Sequence, residues 1–69
     1  MAVPKITLAA ARINAGFSQE EAAKYLNISR STLIKYEAGE TVPSWGTVKA
    51  IEELYQYPAD NIFFGKKST

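Results

Sequence analysis

The chain has 69 residues, no cysteine, no histidine and a net charge of only +1. So short a chain suits a single domain with a modest core; the missing cysteines exclude a disulfide framework and thiolate metal sites and fit a reducing compartment. The missing histidines remove the commonest general base and metal ligand, and the seven carboxylates fall in no metal-loop pattern, so neither a metal nor another cofactor is expected.

Pro4 is suited to a first helical position, and the alanine-rich run from Lys5 ends at Gly16, which predicts a first helix over roughly Pro4 to Ala15. Leu8, Ala11 or Arg12, and Ala15 lie along its inner stripe, and Phe17 plugs the following loop into the core. Ser18 is followed three residues later by Glu21, the spacing of a capping box, and opens a second helix that ends at Asn27, a residue that tolerates the left-handed conformation. Ala22 and Ala23 are small enough to let a neighbouring helix approach closely. Ser29 caps a third helix over 29–38, with Leu33 and Tyr36 three apart on one face and Gly39 after it.

Two short helices joined by a tight turn, with alanines at the crossing and Leu33 as anchor, make a helix-turn-helix pattern. Arg12, Phe17 to Ala23, Leu26, Ile28-Ser29, Ser31 to Leu33, Tyr36-Glu37, Gly39 and Pro43-Ser44 carry it, together with a closing segment from Tyr57 to Gly65. In order and spacing they resemble the Cro/cI family of phage-type repressors, also called the xenobiotic-response-element family. The resemblance spans about Thr7 to Gly65.

Downstream, Glu40 to Pro43 forms a loop, and Ser44 caps a fourth helix with Trp45, Val48, Ile51 and Tyr55 on its inner face. Pro58 is expected to open a fifth, short helix stopped by Gly65. The expected fold is all-α without a sheet, five helices similar to the lambda-repressor domain, over residues 1–65, with 66–69 a frayed polar tail. Leu8, Phe17, Ala23, Leu26, Leu33, Tyr36, Val48, Ile51 and Ile62 are its expected interior.

Charge is segregated along the chain. Lys5 to Lys35 holds five cations against two anions, whereas Tyr36 to Phe64 holds one cation against five anions, so the positive excess lies on the half with the motif. No apolar run approaches a membrane span and no leader pattern opens the chain, so a cytoplasmic protein without membrane contact is expected. There is no nucleophile and base pair and no phosphate loop, so an enzyme is not expected.

The resemblance implies a sequence-specific double-stranded DNA-binding transcriptional regulator, a repressor, acting as a homodimer on a palindromic operator. It places Arg30, Ser31 and Lys35 on base edges, with Arg30 able to donate twice to guanine. It places Gln19 at phosphate, with Ser29, Thr32 and Lys24 as further phosphate donors, Ser29 serving also as a cap. It pairs Arg12 with Glu37 as a structural ion pair. The loop after the third helix lacks the cations that relatives commonly carry there, and Asn27 and Gln56 stand where the family usually has glycine. The eight aromatics fall mostly on core spacings, but Phe63 and Phe64 cannot both point inward from one helix, so Phe63, Phe64 and Tyr57 are read as the dimer contact. The competing reading keeps the fold but uses the acidic half to bind protein, as an antitoxin, antirepressor or polymerase-contacting factor does.

Overall fold

Each of the four α-helices among the described residues starts at a hydroxyl side chain that accepts a backbone N–H three residues on. They are α1 (Leu8–Asn14), α2 (Gln19–Leu26), α3 (Arg30–Ala38) and α4 (Trp45–Tyr55), opened by Thr7, Ser18, Ser29 and Ser44. At Ser18 the capping box is complete, because Glu21 also accepts the Ser18 N–H at 3.0 Å, and that bond holds the Glu21 carboxyl below its usual range. Each helix closes through a left-handed residue: Gly16, Asn27, Gly39 and Gln56. In all four the next residue's N–H returns to a carbonyl five back, as Ile28 does to Ala23 at 3.0 Å. The Gln56 amide secures its own turn by donating to the Glu53 carbonyl.

The computed structural model describes residues 3–65, and the tail 66–69 lies outside them. Leu8, Ala11, Ala22, Ala23, Leu26, Leu33, Ile51, Tyr55 and Ile62 form one buried cluster, with Phe17 and Tyr36 half-buried against it. Val48 is buried too. Ala22 and Ala23 expose almost nothing, which lets α2 and α3 cross closely.

Both ends of the chain depart from the expected all-α fold. The first helix starts at Leu8, not Pro4: Thr7 is its cap, and Ile6–Thr7 is a strand, β1. The fifth helix is a single 3-10 turn, Ala59–Asn61, followed by β2 (Ile62–Phe63), which pairs in parallel with β1 through Ile6↔Ile62 and Thr7↔Phe63. Among the described residues the regular structure is thus helical except for this two-residue pairing. β-branched and aromatic side chains favour extended backbone, and here each strand supplies the other's hydrogen bonds. Further ties close the two ends together. The Tyr57 hydroxyl donates to the Pro4 carbonyl, the Asn61 amide donates to the Val3 carbonyl at 2.7 Å, and the Lys5 ammonium lies 4.8 Å from the Phe63 ring. Glu52 pins the 3-10 turn to α4 by accepting the Ala59 N–H at 2.7 Å, which keeps its carboxyl below the usual carboxylate range.

Trp45 departs from its expected place on the inner stripe of α4. It is 73% exposed, with the Lys49 ammonium 5.6 Å from its ring. Tyr25 is exposed as well, its ring meeting Phe17 edge-on at 5.6 Å.

Candidate nucleic-acid interface

Leu33 is the one fully buried residue of α3, so the helix presents most of its circumference outward. Its exposed side chains are Arg30, Ser31, Ile34, Lys35 and Ala38, which recur at the spacing of a single helical stripe. That stripe carries two cations, one hydroxyl and no carboxylate. The single acid of α3, Glu37, is turned inward.

Glu37 is the hub that fixes α3 against the start of α2. Arg12 Nε donates to its Oε2 at 2.7 Å and Arg12 Nη2 to its Oε1 at 3.4 Å, while Arg12 Nη1 donates to the Phe17 carbonyl at 2.8 Å. Gln19 Nε2 donates to the same Oε1 at 3.0 Å. The two charged side chains are only 12% and 8% exposed, so α1, the α1–α2 turn and the first residue of α2 converge on one ion pair. Three hydrogen bonds satisfy the carboxylate and a fourth satisfies the guanidinium, which is the condition under which a buried ion pair is tolerated. Gln19 therefore spends one amide N–H inward, and its placement at phosphate rests on the other side-chain N–H and on its backbone N–H. That backbone N–H is among those a helix leaves without an internal acceptor.

Between the starts of α2 and α3 lies an open cleft of about 450 Å³, lined by Arg12, Ser18, Gln19, Glu20 and Arg30. Arg30 thus reaches both the outward stripe and the N-terminus of α2, where the helix dipole favours an anion. Glu20 on the cleft's rim opposes that preference in part.

At the start of α3 three hydroxyls are linked. Ser29 Oγ accepts the Thr32 N–H at 3.1 Å and lies 3.1 Å from Ser31 Oγ and 2.8 Å from Thr32 Oγ1. Two hydroxyl contacts consume two of the three hydroxyl protons, so one remains to be donated outward. Ser29 is a cap in the first place, and Thr32 is half-buried, which leaves Ser31 as the most accessible of the three. Lys24 is exposed on α2, apart from the cleft lining.

A model of the Cro/C1-type helix-turn-helix family matches residues 8–62, from the first residue of α1 to the first of β2. The chain belongs to the Cro/cI helix-turn-helix family. It is accordingly a DNA-binding regulator of transcription, with α2 and α3 as the helix-turn-helix. No curated protein and no solved structure matches the chain. Among the described residues no helix is long and apolar enough to cross a membrane.

The three residues read as a dimer contact are half-buried, and each also has a partner within the domain. Tyr57 is tied to Pro4 and Phe63 lies beneath Lys5, while Phe64 packs partly on the core. Phe63 ends β2 and Phe64 follows it, so the two rings need not share the face of one helix. The motif residues alone leave out Ile34 and Ala38 on the outward stripe of α3; both follow from extending the Arg30, Ser31, Lys35 spacing around the helix.

Behind the Glu37 hub, Tyr55 is 4% exposed, and among the described residues no group accepts or donates to its hydroxyl. Burial, and secondarily the Glu37 carboxylate, raise its pKa to about 12. Above about pH 10 the unfolded chain releases a phenolic proton that the native state keeps, so this group lowers stability progressively between about pH 10 and about pH 12. Tyr55→Phe is expected to change stability at neutral pH by no more than about 1 kcal/mol, or to raise it, since it removes an unpaired buried hydroxyl. It should also remove that part of the alkaline loss. Urea unfolding of parent and variant at neutral and alkaline pH measures both effects.

Proposed function

We propose that the domain is a sequence-specific repressor that binds duplex DNA as a dimer, with α3 in the major groove. The observation that supports it is the outward stripe of α3. Arg30, Ser31 and Lys35 share one face free of carboxylate, while the only acid of that helix is held inward by Arg12 and Gln19. Arg30 is the base reader, with Ser31 and Lys35 beside it. Gln19 and Lys24 meet phosphate and fix the register, and Ser29 and Thr32 can join them only through the one hydroxyl proton that their cluster with Ser31 leaves free. Repression requires only occupancy, because a protein covering a promoter blocks polymerase without any further contact.

The dimer contact is Phe63, Phe64 and Tyr57, extended through Phe64 into a largely apolar cleft of about 320 Å³ lined also by Val42, Pro43, Trp45, Val48, Ala59 and Asp60. Trp45 and Val42 are mostly exposed on one protomer, and a second copy would cover them. Selection from random duplexes should return a two-fold motif whose half-site centres lie about 34 Å apart, one turn of DNA. Trp45→Ala should leave the fold intact and weaken dimerisation by roughly 2 kcal/mol or more, as aromatic anchors do. Sedimentation with and without the selected duplex measures this. A parent that stays monomeric in both conditions would overturn the dimer, and a variant that dimerises as the parent does would remove Trp45 from its contact.

A further inference from the structure

Leu33 and Ile34 are adjacent branched aliphatics on α3 with opposite fates. Leu33 is fully buried, and Ile34 is 39% exposed. Ile34 sits in the middle of the outward stripe, one turn after Arg30 and Ser31, beside Lys35 and one turn before Ala38. Neither helix propensity nor packing accounts for it. A β-branched residue is a poorer helix former than the Lys, Gln or Glu that suit an exposed position, and the core anchor of α3 is already Leu33.

Ile34 has no hydrogen-bonding group, so it can recognise only an apolar surface. On the major-groove edges of the four bases, the one apolar group is the C5-methyl of thymine. We infer that Ile34 is a specificity-determining residue that packs on a thymine methyl, a role that rests on the proposed placement of α3 in the major groove. Four residues of helix separate it from Arg30, about 6 Å at the rise of an α-helix. Base pairs are stacked about 3.4 Å apart, so the thymine lies within about two base pairs of the guanine that Arg30 reads. The preferred half-site then combines a guanine with a nearby thymine, the first held by two hydrogen bonds and the second by methyl burial.

Replacing thymine by uracil removes that methyl and nothing else. In the duplex selected by the parent, uracil placed at each thymine in turn should weaken parent binding about threefold to tenfold at one position per half-site. Ile34→Ala should bind the thymine duplex more weakly by a similar factor and be indifferent to uracil at that position. Ile34→Val should fall between them. Circular dichroism of the two variants should match the parent, since the position is solvent-exposed.

A parent insensitive to uracil at every position, or an Ile34→Ala variant that keeps the same sensitivity, overturns the inference. In that case continued tight binding of the selected duplex, lost in Arg30→Ala, leaves the major-groove reading standing. Failure of the parent to bind any duplex overturns both.

Discussion

Glu37→Ala is expected to lower folding stability by about 3–5 kcal/mol, the loss typical of removing one partner from a buried ion pair. Three nitrogens of Arg12 are engaged, two with Glu37 and one with the Phe17 carbonyl, and the side chain is 12% exposed. Without Glu37 the guanidinium stays largely out of water with a single acceptor, and Gln19 Nε2 loses its acceptor too. Native domains are stable by roughly 0.05–0.15 kcal/mol per residue, so the loss is a large part of what a chain of 69 residues commands. Charge is the cause, not shape. Glu37→Gln, which keeps an acceptor, should therefore lose less, and a double replacement of Arg12 and Glu37 by Met and Leu should return close to the parent. Urea unfolding gives all three values. A loss below about 1 kcal/mol for Glu37→Ala would mean that the pair behaves as a surface pair and does not hold α2 against α3.

Arg30→Ala and Lys24→Ala should fail in different ways. Arg30 stands at the first position of α3 on the outward stripe, where a guanidinium can donate to both guanine acceptors, so its loss should cost roughly 1–3 kcal/mol on the selected site and little on random duplex. Lys24 lies on α2 and off that stripe, where it can meet only phosphate. Its removal should weaken binding to both duplexes similarly and reduce the salt slope by about one per protomer. Because Arg30 also lines the cleft at the start of α2, a loss of equal size on both duplexes would instead assign it to phosphate.

What the sequence makes legible is local chemistry. Ser18 with Glu21, Ser29 and Ser44 mark the starts of α2, α3 and α4, because a cap is decided within three residues. Asn27 marks the turn for the same reason, its left-handed backbone being a property of one residue. The β1–β2 pairing is not legible, because its partners come from opposite ends of the chain, and alanine-rich propensity carries the first helix back over Ile6 and Thr7. Helical spacing places Trp45 on the inner face of α4, but at the first position of the helix its ring lies out beside Val42 and Pro43 of the preceding loop and stays 73% exposed. At the candidate site Arg12 and Glu37 are 25 residues apart, so no spacing rule joins them; the link comes from the family resemblance. The inward hydrogen bond of Gln19 and the isolation of the Tyr55 hydroxyl are set wholly by how the helices pack.

The most direct test is a salt titration of the parent on its selected duplex and on random duplex, read by fluorescence anisotropy. Binding to both should weaken as a straight line in log salt, by about 0.9 log units per phosphate neutralised for each tenfold rise in salt. The line for random duplex should lie at low affinity, since the loop after α3, Glu40 to Ser44, offers no cation. At physiological salt the selected duplex should be held roughly a thousandfold or more tighter than the random one. Absence of salt-dependent binding to any duplex would contradict major-groove recognition and favour the competing reading, in which the acidic half of the chain binds a protein partner.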